Sequence, residues 1–407
     1  MFMRSQGHKN KFLYLLKGLI WCSVLVSPCA CSSQNVIEQQ PIPGAQQLNT
    51  YVNVLLNKRV AVVANQTSLV NHQHLIDTLM TSGVEVVRIF APEHGFRGKA
   101  DAGEHIKDGK DIKTGLPIYS LYGSNKKPTA AQLQDVDIVL FDIQDVGTRF
   151  YTYLSTLHYV LQACGEQGIP VMVLDRPNPN IQMIDGPIMQ SKHQSFVGLH
   201  PVPIVYGMTI GEYAQMLVGE NWIALNDTQK VELSVVPIQH YTRKSSYDLP
   251  VPPSPNLKSM QAVYWYPTLC LFEGTNISIG RGTSDPFTVI GHPEFRVSNY
   301  QFTPQANEGA KYPKHEGVNC YGWKMPEVTA PKFLAIHWWL SAYEQLDEGM
   351  SFFSPFFYKL AGTRELAEQI VAGKSEKAIR ASWQNDLKAF KKLRAPYLIY
   401  PETNKAN

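Results

Sequence analysis

The sequence predicts an α/β protein: a Rossmann-like parallel-sheet domain followed by a second, smaller α+β subdomain. Three observations carry this reading. Apolar, β-branched runs at 58–65, 84–90, 137–143 and 169–175 are separated by helical stretches, the pattern of parallel strands buried on both faces. With 407 residues, 44% of them hydrophobic, the chain can build a large core and a second unit. Past residue 235 the alternation stops: prolines cluster at 250–255, aromatics follow at 264–266, and helical stretches return at 331–346 and 363–394. No internal repeat is visible.

In chain order, residues 1–31 read as an export signal. Arg4, Lys9, Lys11 and Lys17 precede an apolar run at 18–26 that is too short to span a bilayer. Cys31, between Ala30 and Ser32, stands like the acylated cysteine of a bacterial lipoprotein. This predicts a periplasmic, outer-membrane lipoprotein that touches the membrane only through its lipid. Residues 32–49, rich in Ser, Gln, Asn and Pro, read as a tether. The Rossmann-like domain is assigned to 50–235 and the C-terminal subdomain to 236–407. Within the first, helices are expected at 72–82 and 150–167, the second ended by Gly168.

Several function classes are excluded at this level. A net charge of +3 with 17% charged residues gives no basic surface for nucleic acid. Of six cysteines, Cys22, Cys29 and Cys31 lie in the leader region; Cys164, Cys270 and Cys320 are too far apart for a disulfide framework or zinc motif. They are expected as buried thiols with at most one bridge. After the first strand stands Asn65-Gln66-Thr67-Ser68 rather than a glycine-rich dinucleotide loop. There is no P-loop, no H-E-x-x-H and no G-x-S-x-G. No cofactor and no metal are expected.

What the chain does carry is polar chemistry past each strand, where open α/β sheets bind ligands. Asn65 follows the first run. Glu93, His94 and Arg97 follow the second, in Phe90-Ala91-Pro92-Glu93-His94-Gly95-Phe96-Arg97-Gly98. Asp142, Gln144, Asp145 and Arg149 follow the third, and Asp175, Arg176 and Asn178 the fourth. Taken singly, Asp142 or Asp175 also reads as a cap, His94 as a packing histidine and Arg149 as a structural partner of Asp145. Glu93 and His94 are the candidate proton-transfer pair. Tyr151 and Tyr153 beside acids suit carbohydrate, although the same aromatics also suit the buried face of a helix. A second glycine-rich loop carries Glu273 and Arg281. Glycoside hydrolysis needs two carboxyl groups. Glu93 supplies one; Glu273, Asp142, Asp145 and Glu104 are candidates for the other, unless an N-acetyl sugar supplies its own acetamido oxygen.

Taken together, these stretches, with Phe141-Asp142-Ile143-Gln144-Asp145-Val146-Gly147-Thr148-Arg149-Phe150-Tyr151-Thr152-Tyr153, Leu174-Asp175-Arg176-Pro177-Asn178-Pro179, Gly207-Met208-Thr209-Ile210-Gly211-Glu212, Pro253-Ser254-Pro255-Asn256 and Glu273-Gly274-Thr275-Asn276, resemble the exo-acting β-N-acetylmuramidase family of the NamZ type, long catalogued as a domain of unknown function. The resemblance covers roughly residues 50–400. It implies a cleft between the two domains and release of N-acetylmuramic acid from the non-reducing ends of peptidoglycan fragments. It puts the catalytic acid on Glu93 and adds Asn256 and Asn276 to the expected substrate-binding residues. A muramic acid substrate carries a lactyl carboxylate, for which Arg149, Arg176 and Arg281 are the candidate partners. Two positions depart from the family's pattern: Tyr206 stands where histidine is expected and Ile279 where glutamate is expected.

Overall fold

The computed structural model describes residues 39–97, 104, 108–346 and 348–403. The expected signal, Cys31 and most of the tether lie outside them. The tether's described part is docked rather than free. Ile42 exchanges backbone hydrogen bonds with Gln239 at 2.9 and 3.0 Å, Gly44 donates to the Asp175 carbonyl at 2.8 Å, and helix α1 (Leu48–Leu55) begins within the span assigned to the tether.

The chain then lays down β1 (Arg59–Ala64), the two-residue strands β2 (Leu69–Val70) and β3 (Gln73–His74), helix α2 (Leu75–Thr81) and β4 (Glu85–Ala91). The short β5 (Gly109–Lys110) and β6 (Pro117–Ser120) follow, then α3 (Ala130–Leu133), β7 (Ile138–Asp142), α4 (Tyr153–Gln167) and β8 (Val171–Leu174). Helix α5 (Ile210–Gly219) and β9 (Leu233–Val236) complete the sheet region. Helix α2 starts three residues later than the sequence suggests, because residues 69–74 close as a hairpin first. Helix α4 likewise starts at Tyr153 rather than 150. Gly168 ends it at φ 68°, as expected of a left-handed terminal glycine.

The central sheet runs β5-β6-β4-β1-β7-β8-β9, parallel throughout except for β5. From β1 the chain builds outward one way through β4 and β6, then returns and builds the other way from β7. This is the Rossmann order, with its reversal between β1 and β7. The register of side chains explains why the runs are continuously apolar. Ala61 and Val63 of β1, Val139 and Phe141 of β7, and Val171 and Val173 of β8 face one core, which also takes Leu157 and Leu161 of α4 and Met216 and Leu217 of α5. The alternate residues Val60, Val62, Ile138, Leu140, Met172 and Leu174 face a second core with Tyr51 and Leu55 of α1 and Leu75, Ile76 and Leu79 of α2. Cys164, Cys270 and Cys320 are buried and unbridged.

Past β9 come α6 (Met260–Leu269), an antiparallel sheet of β10 (Val289–His292), β11 (Tyr300–Phe302) and β12 (Cys320–Lys324) in the order β10-β12-β11, and then α7 (Ile336–Leu346) and α8 (Pro355–Ala361). The chain closes with α9 (Glu365–Val371), α10 (Glu376–Ser382) and α11 (Gln384–Arg394). Residues from Leu257 to Phe390 join the first core. The C-terminal part is therefore built onto one face of the sheet.

Candidate active site

The loop after β4 places Glu93 and His94. Pro92 ends the strand because it has no N–H to continue a ladder. His94 at φ 69° and Gly95 at φ 75° then turn the chain through two left-handed residues. A histidine in that region is uncommon and marks a locally constrained backbone. Glu93 and His94 are both nearly buried, at 8% and 7% exposure. Thr152 Oγ1 donates to Glu93 Oε2 at 2.6 Å. The Tyr122 hydroxyl also bonds Glu93; burial first, then the charge and hydrogen bond of Glu93, push that phenol well above its ordinary range.

These residues form one wall of a cavity of about 440 Å³. Glu93, His94, Tyr122, Phe150, Tyr151 and Thr152 come from the sheet domain, and Tyr266, Glu273, Ile279, Arg281, Lys314 and Phe356 from the C-terminal part. In the same lining, Arg281 Nε donates to Glu273 Oε1 at 2.5 Å, and the Arg281 guanidinium lies 5.1 Å from the Phe287 ring centre. The Glu273 loop can come this close only because residue 274 is glycine: a Cβ there would lie 2.3 Å from the Phe357 Cα. Burial lowers the Lys314 ammonium to about 8, with Glu273 opposing the shift and Arg281 adding to it.

Many of the other expected site residues do not line this cavity, and the reason is shared. The residues after β1 and β7 bond to each other and fill the crevice at the chain reversal. Ser68 Oγ donates to the Asp142 carbonyl at 2.5 Å and the Gln144 N–H to Thr67 Oγ1 at 3.0 Å. Asn65 accepts from Thr67 and donates to the Tyr153 hydroxyl at 2.9 Å. Asp142, a candidate second carboxylate, is instead in a buried bidentate pair with Arg176, at 2.6 and 2.9 Å. Arg176 is therefore spent on Asp142 and does not line the cavity. Asp175 accepts from the Thr209 hydroxyl at 2.7 Å, the Gly211 N–H at 2.8 Å and the Tyr400 hydroxyl at 2.5 Å; burial pushes its carboxyl up to about 7. Asn178 is bound to the Met208 carbonyl and Asn180 N–H.

Asp145 and Arg149 do not pair. Asp145 accepts from the Gly147 N–H at 2.7 Å and from the Tyr206 hydroxyl, and burial pushes it up to about 6. Arg149 donates instead to the carbonyls of Pro187, Val202, Leu360 and Ala361 at 2.6–2.9 Å; its burial lowers it to about 9. Gln144 donates to the Asp145 and Pro177 carbonyls. Arg97 is paired with Asp111 at 2.5 Å, Asn256 with the Gly309 carbonyl at 2.5 Å and Asn276 with Glu348 at 3.1 Å. Glu104 is paired with Lys311 at 2.6 Å. Of the three arginines considered for a substrate carboxylate, Arg281 alone lines the cavity. Of the two departures, Tyr206 is a core hydroxyl on Asp145, whereas Ile279 lines the cavity wall.

Sequence reasoning missed Tyr122, Thr152, Tyr266 and Lys314. Tyr122 follows β6, whose four residues begin with proline and were not read as a strand; with that strand assigned, the rule of polar residues past strand ends would have found it. Thr152 stands inside a quoted motif. For Lys314 no local signal exists.

The same fold recurs in known proteins. Residues 60–261 match the N-terminal part, and 264–400 the C-terminal part, of exo-beta-N-acetylmuramidase NamZ. The chain is 37% identical over 418 residues to the peptidoglycan beta-N-acetylmuramidase NamZ of Bacillus subtilis (strain 168), covering 96% of this chain and 100% of that protein. A crystal structure of a DUF1343 family protein from Bacteroides fragilis superposes with a TM-score of 0.83 at 43% identity, over 90% of this chain and 100% of that one. A second DUF1343 family protein from the same bacterium gives 0.78 at 27% identity, over 89% and 99%. Matched across both domains and aligned nearly end to end with a named member, the chain belongs to the NamZ family of exo-β-N-acetylmuramidases.

Proposed function

We propose that the protein is an exo-acting glycoside hydrolase that releases N-acetylmuramic acid from the non-reducing ends of peptidoglycan fragments, in cell-wall turnover and recycling. The observation that carries this is the pair of carboxyl groups, Glu93 and Glu273, lining one 440 Å³ cavity together with Arg281. That volume lies within the range of small-molecule sites. Glu93 is the general acid: oriented by Thr152 and Tyr122, it gives its proton to the departing glycosidic oxygen as the C–O bond breaks. The positive charge developing on the sugar is met by the substrate's acetamido oxygen or by Glu273. Water then completes hydrolysis, and its proton returns to Glu93. His94, in its constrained turn, stands beside the acid as its proton-transfer partner.

Arg281 is the anchor for the lactyl carboxylate. Its Nε is committed to Glu273, and among the described residues its two Nη groups have no hydrogen-bond partner, leaving a two-donor fork for a carboxylate. Tyr151 and Tyr266 supply aromatic wall. Export and lipidation at Cys31 would put this activity in the periplasm, on the outer membrane, where peptidoglycan fragments arise; the leader at 1–31 supports that placement.

The decisive experiment is hydrolysis of a chromogenic β-N-acetylmuraminide beside the matching N-acetylglucosaminide by the purified protein. Turnover of the muraminide alone is expected. Faster turnover of the glucosaminide would identify another β-N-acetylhexosaminidase. Muropeptide binding with no turnover would identify a non-catalytic binding lipoprotein.

A further inference from the structure

We propose that Lys314 is a positioning residue of the catalytic site, its ammonium holding in place the loop that presents Glu273 toward Arg281. The proposal rests on the reading of Glu273 and Arg281 given above. Lys314 Nζ donates to the carbonyls of Phe272 at 2.9 Å, Glu273 at 3.1 Å and Thr275 at 2.5 Å, with Ile277 at 3.4 Å. An ammonium has three donors, so these carbonyls absorb all of them. The acceptors lie on a single turn: the 3₁₀ segment Cys270–Gly274 and the residues just after it. Glu273 is thus held by its backbone through Lys314 and by its side chain through Arg281.

The opposite side of the turn is gripped as well. Gly274 lies against the Phe357 backbone of α8, and the Gly274 carbonyl accepts from the Ser354 N–H at 2.8 Å and hydroxyl at 2.9 Å. With α8 behind and Lys314 in front, the turn has little freedom except through the ammonium. A half-buried ammonium whose hydrogen bonds all go to carbonyl dipoles gives up hydration that an exposed lysine keeps. Its presence at this turn is what a site requiring a fixed carboxylate would need.

The charged and titratable groups facing Lys314 are Glu273, Arg281 and Cys270, with His315 next in the chain, hydrogen-bonded to the Asn276 carbonyl at 2.6 Å. Burial pushes the Cys270 thiol, and the Tyr266 phenol bonded to it, well above their ordinary ranges, so neither ionises near neutral pH. Lys314 itself is lowered to about 8. As pH rises through that value the amine loses a donor and turns a lone pair toward the carbonyl ring. The turn relaxes and activity falls.

The test is the pH profile of kcat for the full-length, detergent-solubilised protein on a chromogenic muraminide from pH 6 to 9.5, compared with Lys314→Met and Lys314→Arg. The wild type is expected to lose activity several-fold with a midpoint near 8. Lys314→Met should show at pH 7 the low activity the wild type retains at pH 9, with that limb gone. Lys314→Arg keeps its charge at all these values and should stay active above pH 8. A wild-type limb surviving in either variant, or full activity of Lys314→Met, overturns the proposal. Should both variants misfold, N-acetylmuramic acid binding to the wild type by calorimetry decides: weaker binding at pH 9 than at pH 7 supports it, and equal binding overturns it. If the wild type turns over no muraminide, the proposed function fails on its own, and the binding measurement still judges Lys314.

Discussion

Thr152 gives its hydroxyl to Glu93 at 2.6 Å and makes no side-chain cap for α4, its own backbone already being helical at φ −65° and ψ −8°. Threonine at a helix N-cap ordinarily accepts from the N–H groups of the first turn. Thr209 does so at the start of α5, in a capping box with Glu212. Thr152 instead turns its hydroxyl to a partner 59 residues away. Losing one hydrogen bond to a charged group costs about 1.5–3 kcal/mol, so Thr152→Val should lower kcat by about 10–100-fold. Thr152→Ser should restore most of it. Equal activity of Thr152→Val and wild type would remove Thr152 from the mechanism.

Glu93→Gln keeps the shape of the side chain and removes the proton to be delivered. It should fold with a melting temperature near that of the wild type and lose about 10²–10⁴-fold in kcat. Retained turnover in a folded variant would assign the acid elsewhere.

Arg281→Met should weaken muraminide substrates far more than glucosaminides, because only the former carry the lactyl carboxylate. A lost bidentate ionic contact is worth about 1.5–3 kcal/mol, or about 10–100-fold in kcat/KM. Equal losses on both substrates would mean that Arg281 serves only to orient Glu273.

Arg149 predicts a stability effect instead. It spans from the segment after β7 to the last turn of α8, and Arg149→Met would strand the carbonyls of Pro187, Val202, Leu360 and Ala361 in the interior. A loss of about 3–5 kcal/mol is expected in urea denaturation. A loss below about 1 kcal/mol would show that the core rearranges to satisfy them.

The half-buried His158 and the buried His200, ring nitrogens 3.0 Å apart, make stability depend on pH. Burial lowers His158 to about 4 and His200 to about 3, with Lys127 adding to the first and His158 to the second. An unfolded histidine takes its proton near 6.5, so between 6.5 and about 4 the unfolded chain binds more protons and stability falls as pH falls. Each group contributes at most about 1.4 kcal/mol per pH unit. Asp145 and Asp175 act in the opposite sense: raised by burial to about 6 and 7, they lose stability as pH rises from about 4 to those values. His158→Gln should therefore flatten the acid-side decline in melts between pH 4 and 6.5, and Asp175→Asn should flatten the opposing trend. Unchanged slopes would place the titrating groups elsewhere.

The sequence by itself determined the sheet and the polar loop, with Glu93 and His94, that follows its strand β4. Continuous β-branched runs such as 58–65 and 137–143 are buried on both faces of a parallel sheet because side chains alternate along a strand, and that periodicity is local. The turn at Pro92 was legible because proline has no N–H to continue a ladder, and the acid and histidine follow it directly in the chain. Only the tertiary structure decided which of the polar residues past the strands would face the cavity. Asp142 is taken by Arg176, 34 residues away, and Arg149 by carbonyls 211 and 212 residues away. Lys314 reaches the Glu273 turn from about 40 residues downstream without a motif to announce it. A buried charge goes to whichever partner packing brings within hydrogen-bond distance, and that competition is settled between segments remote in the chain, where spacing along the sequence carries no information.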